Sequence, residues 1–174
     1  MAYTILEPTS GLMPIANTDA GTTYGAAASA IPTAPLYPGM IVRAYDPTYG
    51  EGEFILLKGV ASTVVGSTVT YDSTSFQTTL AAAGTNLPRS VAIAMAATTA
   101  TLWGWYQIAG NAVAAKTSGL ALASNAAVGV KTTGLIATTG TGKEVQGALT
   151  VAKATTPKVV TLAINRPRMQ GRVT

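Results

Sequence analysis

From Leu102 to Ala114 the chain reads LWGWYQIAGNAVA, an uncharged stretch that holds both of its tryptophans. Just upstream, Val91, Ile93 and Met95 alternate with Ala92, Ala94 and Ala96, the period of two that marks a strand with one crowded face and one small-residue face. In a strand from Thr101 to Ile108, Trp103, Trp105 and Gln107 share one face, and Leu102, Tyr106 and Ile108 share the other. Gly104, between the two indoles, has no side chain to keep another backbone away. Each large ring buries roughly 150–250 Å², several kcal/mol gross at about 25 cal/mol per Å². This strand is therefore expected at the centre of the core, with Trp103 and Trp105 anchoring the body or a subunit interface.

The remaining pattern is also that of strands. Met40–Tyr45 and Glu53–Val60 flank Asp46-Pro47-Thr48-Tyr49-Gly50, where Asp-Pro and the following Gly are turn chemistry. Ser67–Tyr71 is a further strand, and the aperiodic Asp72–Pro88 reads as a loop with one helical turn at Leu80–Ala83. Strands follow at Ser90–Ala96 and Thr101–Ile108, then shorter ones at Ala112–Ala115, Ala126–Val130, Leu135–Ala137, Glu144–Thr150 and Lys158–Ile164. Asn165-Arg166-Pro167-Arg168 is expected to end the last strand, because proline and the residue before it interrupt pairing. Short strands at this spacing, with no long helical period, predict an all-β fold: a small β-sandwich or barrel body over 40–174.

Residues 1–39 differ in kind. Pro8, Pro14, Pro32, Pro35 and Pro38 fall among Gly, Ala and Ser, and a chain so rich in proline neither continues a helix nor donates regularly to a ladder. A disordered tail is the plainer reading. Ile5, Leu12, Ile15, Ile31 and Leu36 give it more apolar groups than a linker needs, so it is expected to be an extended N-terminal arm that lies on a partner.

Charge narrows the function classes. Only 10% of residues are charged while 48% are hydrophobic, well below the quarter typical of a solvated monomer, so much of the surface is expected to be covered by protein. Cysteine and histidine are absent, which removes disulfides, thiolates, the usual general base and the commonest metal ligand. The start MAYTILEPTSG shows no basic, apolar leader, so no secretory signal is expected. The uncharged run Ser90–Ala115 is broken by Thr98, Thr99, Thr101, Gln107 and Asn111, so no membrane span is expected either. Acids cluster early, and after residue 80 the sole acid is Glu144 against nine bases. The short basic tail holding Arg166, Arg168 and Arg172 suggests phosphate contacts, yet it lacks the interleaved aromatics of a single-strand platform. Acidic N-terminal parts of one subunit facing basic C-terminal parts of another is the preferred reading, and no direct nucleic acid binding is expected.

Catalytic motifs fail on inspection. Thr139–Glu144 imitates a phosphate loop, but the first glycine of that motif falls on Ala137 and Glu144 replaces the Ser or Thr after the lysine. A hairpin turn is expected there. Asp46, Glu51 and Glu53 offer oxygen ligands for a hard cation, though carboxylates beside a turn seldom bind one. Convergent acids for a hydrolase are not legible. No enzyme activity and no cofactor are expected.

Four segments together carry a resemblance: GEGEFILLKGVAST at Gly50–Thr63, RSVAIAMA at Arg89–Ala96, WGWYQIAGNAV at Trp103–Val113, and INRPRMQG at Ile164–Gly171. As a set they resemble the decoration, or cement, proteins of tailed-bacteriophage heads. The resemblance implies a small, β-rich, oligomeric structural protein on the outer surface of the capsid, a component of the virion whose partner is the major capsid protein. Members are trimers, dimers or monomers; a homotrimer is expected here. The alternative is a phage fibre or receptor-binding module contacting host glycans, which requires an exposed aromatic platform.

Overall fold

The computed structural model describes residues 2–6, 15–16, 23–25, 37–84, 86–100, 102–155 and 158–171. Over them the chain is all-β. Its thirteen strands are β1 (Ala2–Ile5), β2 (Ile15–Ala16), β3 (Thr23–Gly25), β4 (Ile41–Asp46), β5 (Gly50–Lys58), β6 (Thr68–Tyr71), β7 (Thr78–Leu80), β8 (Ser90–Ala94), β9 (Leu102–Ala115), β10 (Ala127–Thr132), β11 (Leu135–Thr138), β12 (Glu144–Thr150) and β13 (Val159–Met169). They form one antiparallel sheet in the order β11-β10-β12-β13-β8-β9-β5-β4-β1-β2, with β3 on β9 and the β6–β7 pair on β8.

β9 organises this sheet, because both of its faces are buried along its first half. Trp105 is 1% exposed and packs with Val42, Ala44, Phe54, Leu56 and Met95, with Trp103 half-buried against the same cluster. On the opposite face Tyr106 and Ile108 pack with Ile55, Leu57, Val69, Ala92 and Ala94. The two-face division of the strand therefore follows its alternation. Gly104 departs from expectation: a methyl there would meet the Thr98 side chain at 2.9 Å, so a threonine fills the space rather than a neighbouring backbone.

A β-bulge then changes the phase. Gln107 pairs with Phe54 but Ala109 pairs with Glu53, leaving Ile108 as an extra residue on β9. An inserted residue reverses the alternation beyond it. Ala112 and Ala114 now point into a third cluster with Val128, Val130, Ile136, Val160 and Leu162, while Ala109, Asn111 and Val113 are partly open. Instead of two separate strands at Thr101–Ile108 and Ala112–Ala115, one strand of 14 residues serves both halves of the molecule.

Each half closes on itself. β5, β9, β8, β6 and β7 are joined by the parallel bridge of Lys58 to Gln77, with Lys58 N–H donating to Phe76 O at 2.9 Å and Thr78 Oγ1 donating to Lys58 O at 2.7 Å. The end of β9 with β13, β12, β10 and β11 is joined by the parallel bridge of Lys116 to Ile136, with Thr117 N–H donating to Ile136 O at 2.9 Å. Closure leaves few unpaired strand edges among the described residues.

Three local expectations are corrected. The Asp72–Pro88 segment contains β7, and Leu80–Ala83 forms no helical turn. The turn lies instead at 72–76, where Phe76 N–H donates to Asp72 O at 3.0 Å and the Asp72 carboxylate accepts the Thr74 and Ser75 N–H groups at 3.0 and 2.7 Å, turning the chain back so that Tyr71 pairs with Thr78 and Val69 with Leu80. The last strand does not stop at Asn165 but runs through Pro167 to Met169. Its register against β12 shifts between Gln146 and Ala148, Arg166 has φ 42° and Gly147 φ 78°, so Pro167 lies in a bulge where no ladder bond is lost. The arm is also not detached where it is described. β1 pairs with β4 through Thr4–Tyr45 and Ile5–Ala44, and β3 pairs with β9 at 102–104. None of the prolines falls in these short strands.

Candidate interaction surface

Across β1, β4, β5, β9, β13 and β12 one sheet face is left largely uncovered. β4 sets its direction: Ile41, Arg43 and Tyr45 are exposed while Val42, Ala44 and Asp46 are buried. A single row runs from Leu6 through Arg43, Glu53 and Ala109 to Asn165, each pairing with the next. Antiparallel partners share a face, so Leu6, Ile41 and Tyr45 at one end lie on the same side as Leu149, Val151 and Val159 at the other. All six are exposed large hydrophobics.

Between these ends the charges are satisfied within the chain. Arg43 bonds Glu51. Arg166 reaches one oxygen of Glu53 with both Nε, at 3.1 Å, and Nη2, at 2.9 Å. Solvent reaches both pairs, so each contributes only about 0–1 kcal/mol. Arg168 Nε donates to Gln146 Oε1 at 3.2 Å. Arg166 and Arg168 thus belong to β13 rather than to a tail, and the acid that meets Arg166 comes from its own subunit. Beside the bulge, Glu144, Gly147, Leu149, Ala163 and Asn165 line a shallow groove. Gly147 is required there, since a methyl would lie 2.9 Å from Asn165 O.

The other singled-out residues are dispersed. Ile5 packs on the Val42–Phe54 cluster of its own chain. Ile15 pairs through its backbone with Tyr3. Leu12, Ile31, Leu36 and Arg172 lie outside the described residues. Of the candidate cation ligands, Asp46 accepts the Thr48 and Tyr49 N–H groups at 2.8 and 3.1 Å and so caps its own turn, while Glu51 and Glu53 face arginines. The Thr139–Glu144 segment is a turn, closed by Lys143 N–H to Gly140 O at 2.9 Å, but not a hairpin: β11 and β12 both pair with β10, which lies between them. Among the described residues no helix is long and apolar enough to cross a membrane.

Sequence reasoning passed over Leu149, Val151 and Val159, treating Leu149 and Val159 only as strand residues and leaving Val151 just past the end of a strand. The available signal was alternation: Ala148 and Thr150 are buried, and the aliphatics between and after them point the other way.

Two ionisable groups inform the energetics of the scaffold. Burial pushes the Tyr106 hydroxyl above its ordinary value; its 2.8 Å bond with Thr98 Oγ1 works in the opposite direction. Asp72 is held below the usual carboxylate range, first by the Ser75 N–H and then by the Thr74 N–H. Gln107 is fully buried beside Phe54; its Nε2 donates to Ala109 O and Asn111 O at 3.1 and 3.2 Å, holding the bulged segment.

Compared with known proteins, the chain matches no family model, and no curated protein matches it.

Proposed function

We propose that this chain is a structural decoration protein of a tailed-bacteriophage head, binding the outer surface of the capsid as a homotrimer and bridging major capsid subunits. The observation that carries this reading is the open sheet face: six exposed large hydrophobics, three towards each end, with the charges between them paired inside the chain. A face of this kind suits broad protein contact, with apolar groups towards both ends and little demand for specific side-chain chemistry. The closed strand sets beneath it supply a rigid support, so little ordering entropy opposes docking.

The glycan-binding alternative calls for aromatic rings offered to solvent. Trp105 is in the core and Trp103 half-buried against it, so the tryptophans offer no platform. The exposed rings include Tyr37 and Tyr45, and the cement reading is preferred because the other large exposed groups on the face of Tyr45 are aliphatic. The reading is tested by electron micrographs of expanded heads with and without the purified protein, together with its native mass. Density for the chain at regular positions on the shell, and greater heat resistance of decorated heads, is expected. Heads that never take up the protein, alongside glycan binding in solution, would overturn it.

A further inference from the structure

Phe76 is the one aromatic residue with a positive φ among the described residues, at 55°. Asparagine tolerates the left-handed region, but a ring-bearing side chain there is an outlier. The chain holds it in place from both sides: Phe76 N–H donates to Asp72 O at 3.0 Å, and Phe76 O accepts the Lys58 N–H at 2.9 Å. The Asp72 carboxylate fixes the turn itself through the Thr74 and Ser75 N–H groups. In this conformation the ring packs with the cluster of Ile55, Leu57 and Tyr106 and lies directly against Gly39, where an added methyl would overlap it. Gly39 has φ 78°, and its N–H donates to Leu56 O at 2.8 Å; Met40 N–H donates to Tyr37 O at 3.1 Å. The ring therefore seals a tight turn against β5 at the point where residues 1–36 join the body. Solvent lies just outside, since Tyr37 is 81% exposed.

We infer that Phe76 is a clasp that holds residues 37–40, the root of the N-terminal arm, against β5, and that this clasp opens before the body unfolds. A strained residue persists only where its surroundings over-determine it, and opening releases the strain. What opening breaks is small, chiefly the Gly39 bond to Leu56 and one face of the ring. The first half of β9, by contrast, has partner strands on both sides. Local opening at low cost is drawn from places with few such contacts. With the clasp open, the arm has a movable root while β5, β8 and β9 stay paired. Phe76 is in this sense a positioning residue for the arm.

The test is native-state hydrogen exchange on the full chain, read at amides inside and outside the clasp. In wild type the Gly39 and Phe76 N–H groups should be at least about tenfold less protected than the Ala115 and Val151 N–H groups, which bond Gly66 O and Thr161 O. Phe76→Ala should lower protection at Gly39 by a further factor of about ten and leave Ala115 and Val151 unchanged. Phe76→Tyr keeps the ring and should match wild type. Asp72→Ala leaves every core side chain in place and loosens only the 72–76 turn, so it should also lower protection at Gly39, and it decides the matter where Phe76→Ala does not fold. Equal protection of all four amides in wild type would mean that the body opens as one unit, and would overturn the inference. So would equal losses at Gly39, Ala115 and Val151 in the variants, or an unchanged Gly39 in both Phe76→Ala and Asp72→Ala.

Discussion

Gly110→Ala isolates the energy of the close approach between β9 and β5. Gly110 has φ 94°, and a methyl there would lie 2.4 Å from Glu51 O and 3.0 Å from Gly52 Cα. Glu51 cannot simply withdraw, because its strand is paired on its other side with Tyr45 of β4. Two penalties therefore combine: about 1–2 kcal/mol for an L-residue in the left-handed region, and about 1–3 kcal/mol for overpacking against backbone that does not yield. Gly119→Ala is the matched control, with φ 72° and nothing within 4 Å of the added methyl. The two variants share the conformational penalty and differ in the clash. Gly110→Ala should be less stable than Gly119→Ala by about 1–3 kcal/mol, or roughly 2–12 °C in Tm for a chain of this size. Urea titrations with unchanged m-values would give the difference directly. Equal midpoints for the two variants would refute the argument that the bulge is held by tight backbone packing.

Trp105→Ala should destabilise the fold by about 3–5 kcal/mol and Trp103→Ala by clearly less, because only the first is fully buried; equal losses in urea would contradict the assigned core. Tyr106 keeps its proton in the folded state above the ordinary tyrosine value of 10.0, so its contribution is complete below that pH and is lost as the pH rises through the folded pKa. Tyr106→Phe should make the alkaline fall in stability shallower, and an unaltered pH profile would dismiss the role of this hydroxyl. Deleting residues 1–36 strips the partners of β4 at 44–45 and of β9 at 102–104, and should lower Tm; an unchanged melting curve would mean that the arm adds nothing to its own body.

Much of the strand pattern was legible because burial repeats with a simple period. The opposed faces of Trp105 and Tyr106 follow from alternation alone, and the Asp46–Gly50 turn follows from local chemistry that Asp46 visibly performs. The missed features all depend on distant partners. Ile108 becomes a bulge only because Glu53 pairs with Ala109, which nothing within LWGWYQIAGNAVA announces. Pro167 is tolerated because the β12 register slips opposite it, where Gly147 permits the turn. The early prolines made residues 1–39 read as uniformly unsuited to pairing, yet short proline-free pieces suffice for β1 and β3. For the interaction face, composition pointed to a covered surface, but only the fold shows that Leu6 and Leu149, far apart in sequence, lie on the same side.

The place of β13 in the sheet has a consequence for how the protein is made. It comes late in the chain, yet it lies between β12 and β9 and continues onto β8. Until Val159–Met169 are available, β12 and the second half of β9 lack the strand that pairs with both of them in the fold. The sheet is therefore completed by contacts distant in sequence, the kind that slow folding and leave apolar strands longer without partners. Only when the last strand takes its place does the second half of the molecule gain a sealed interior.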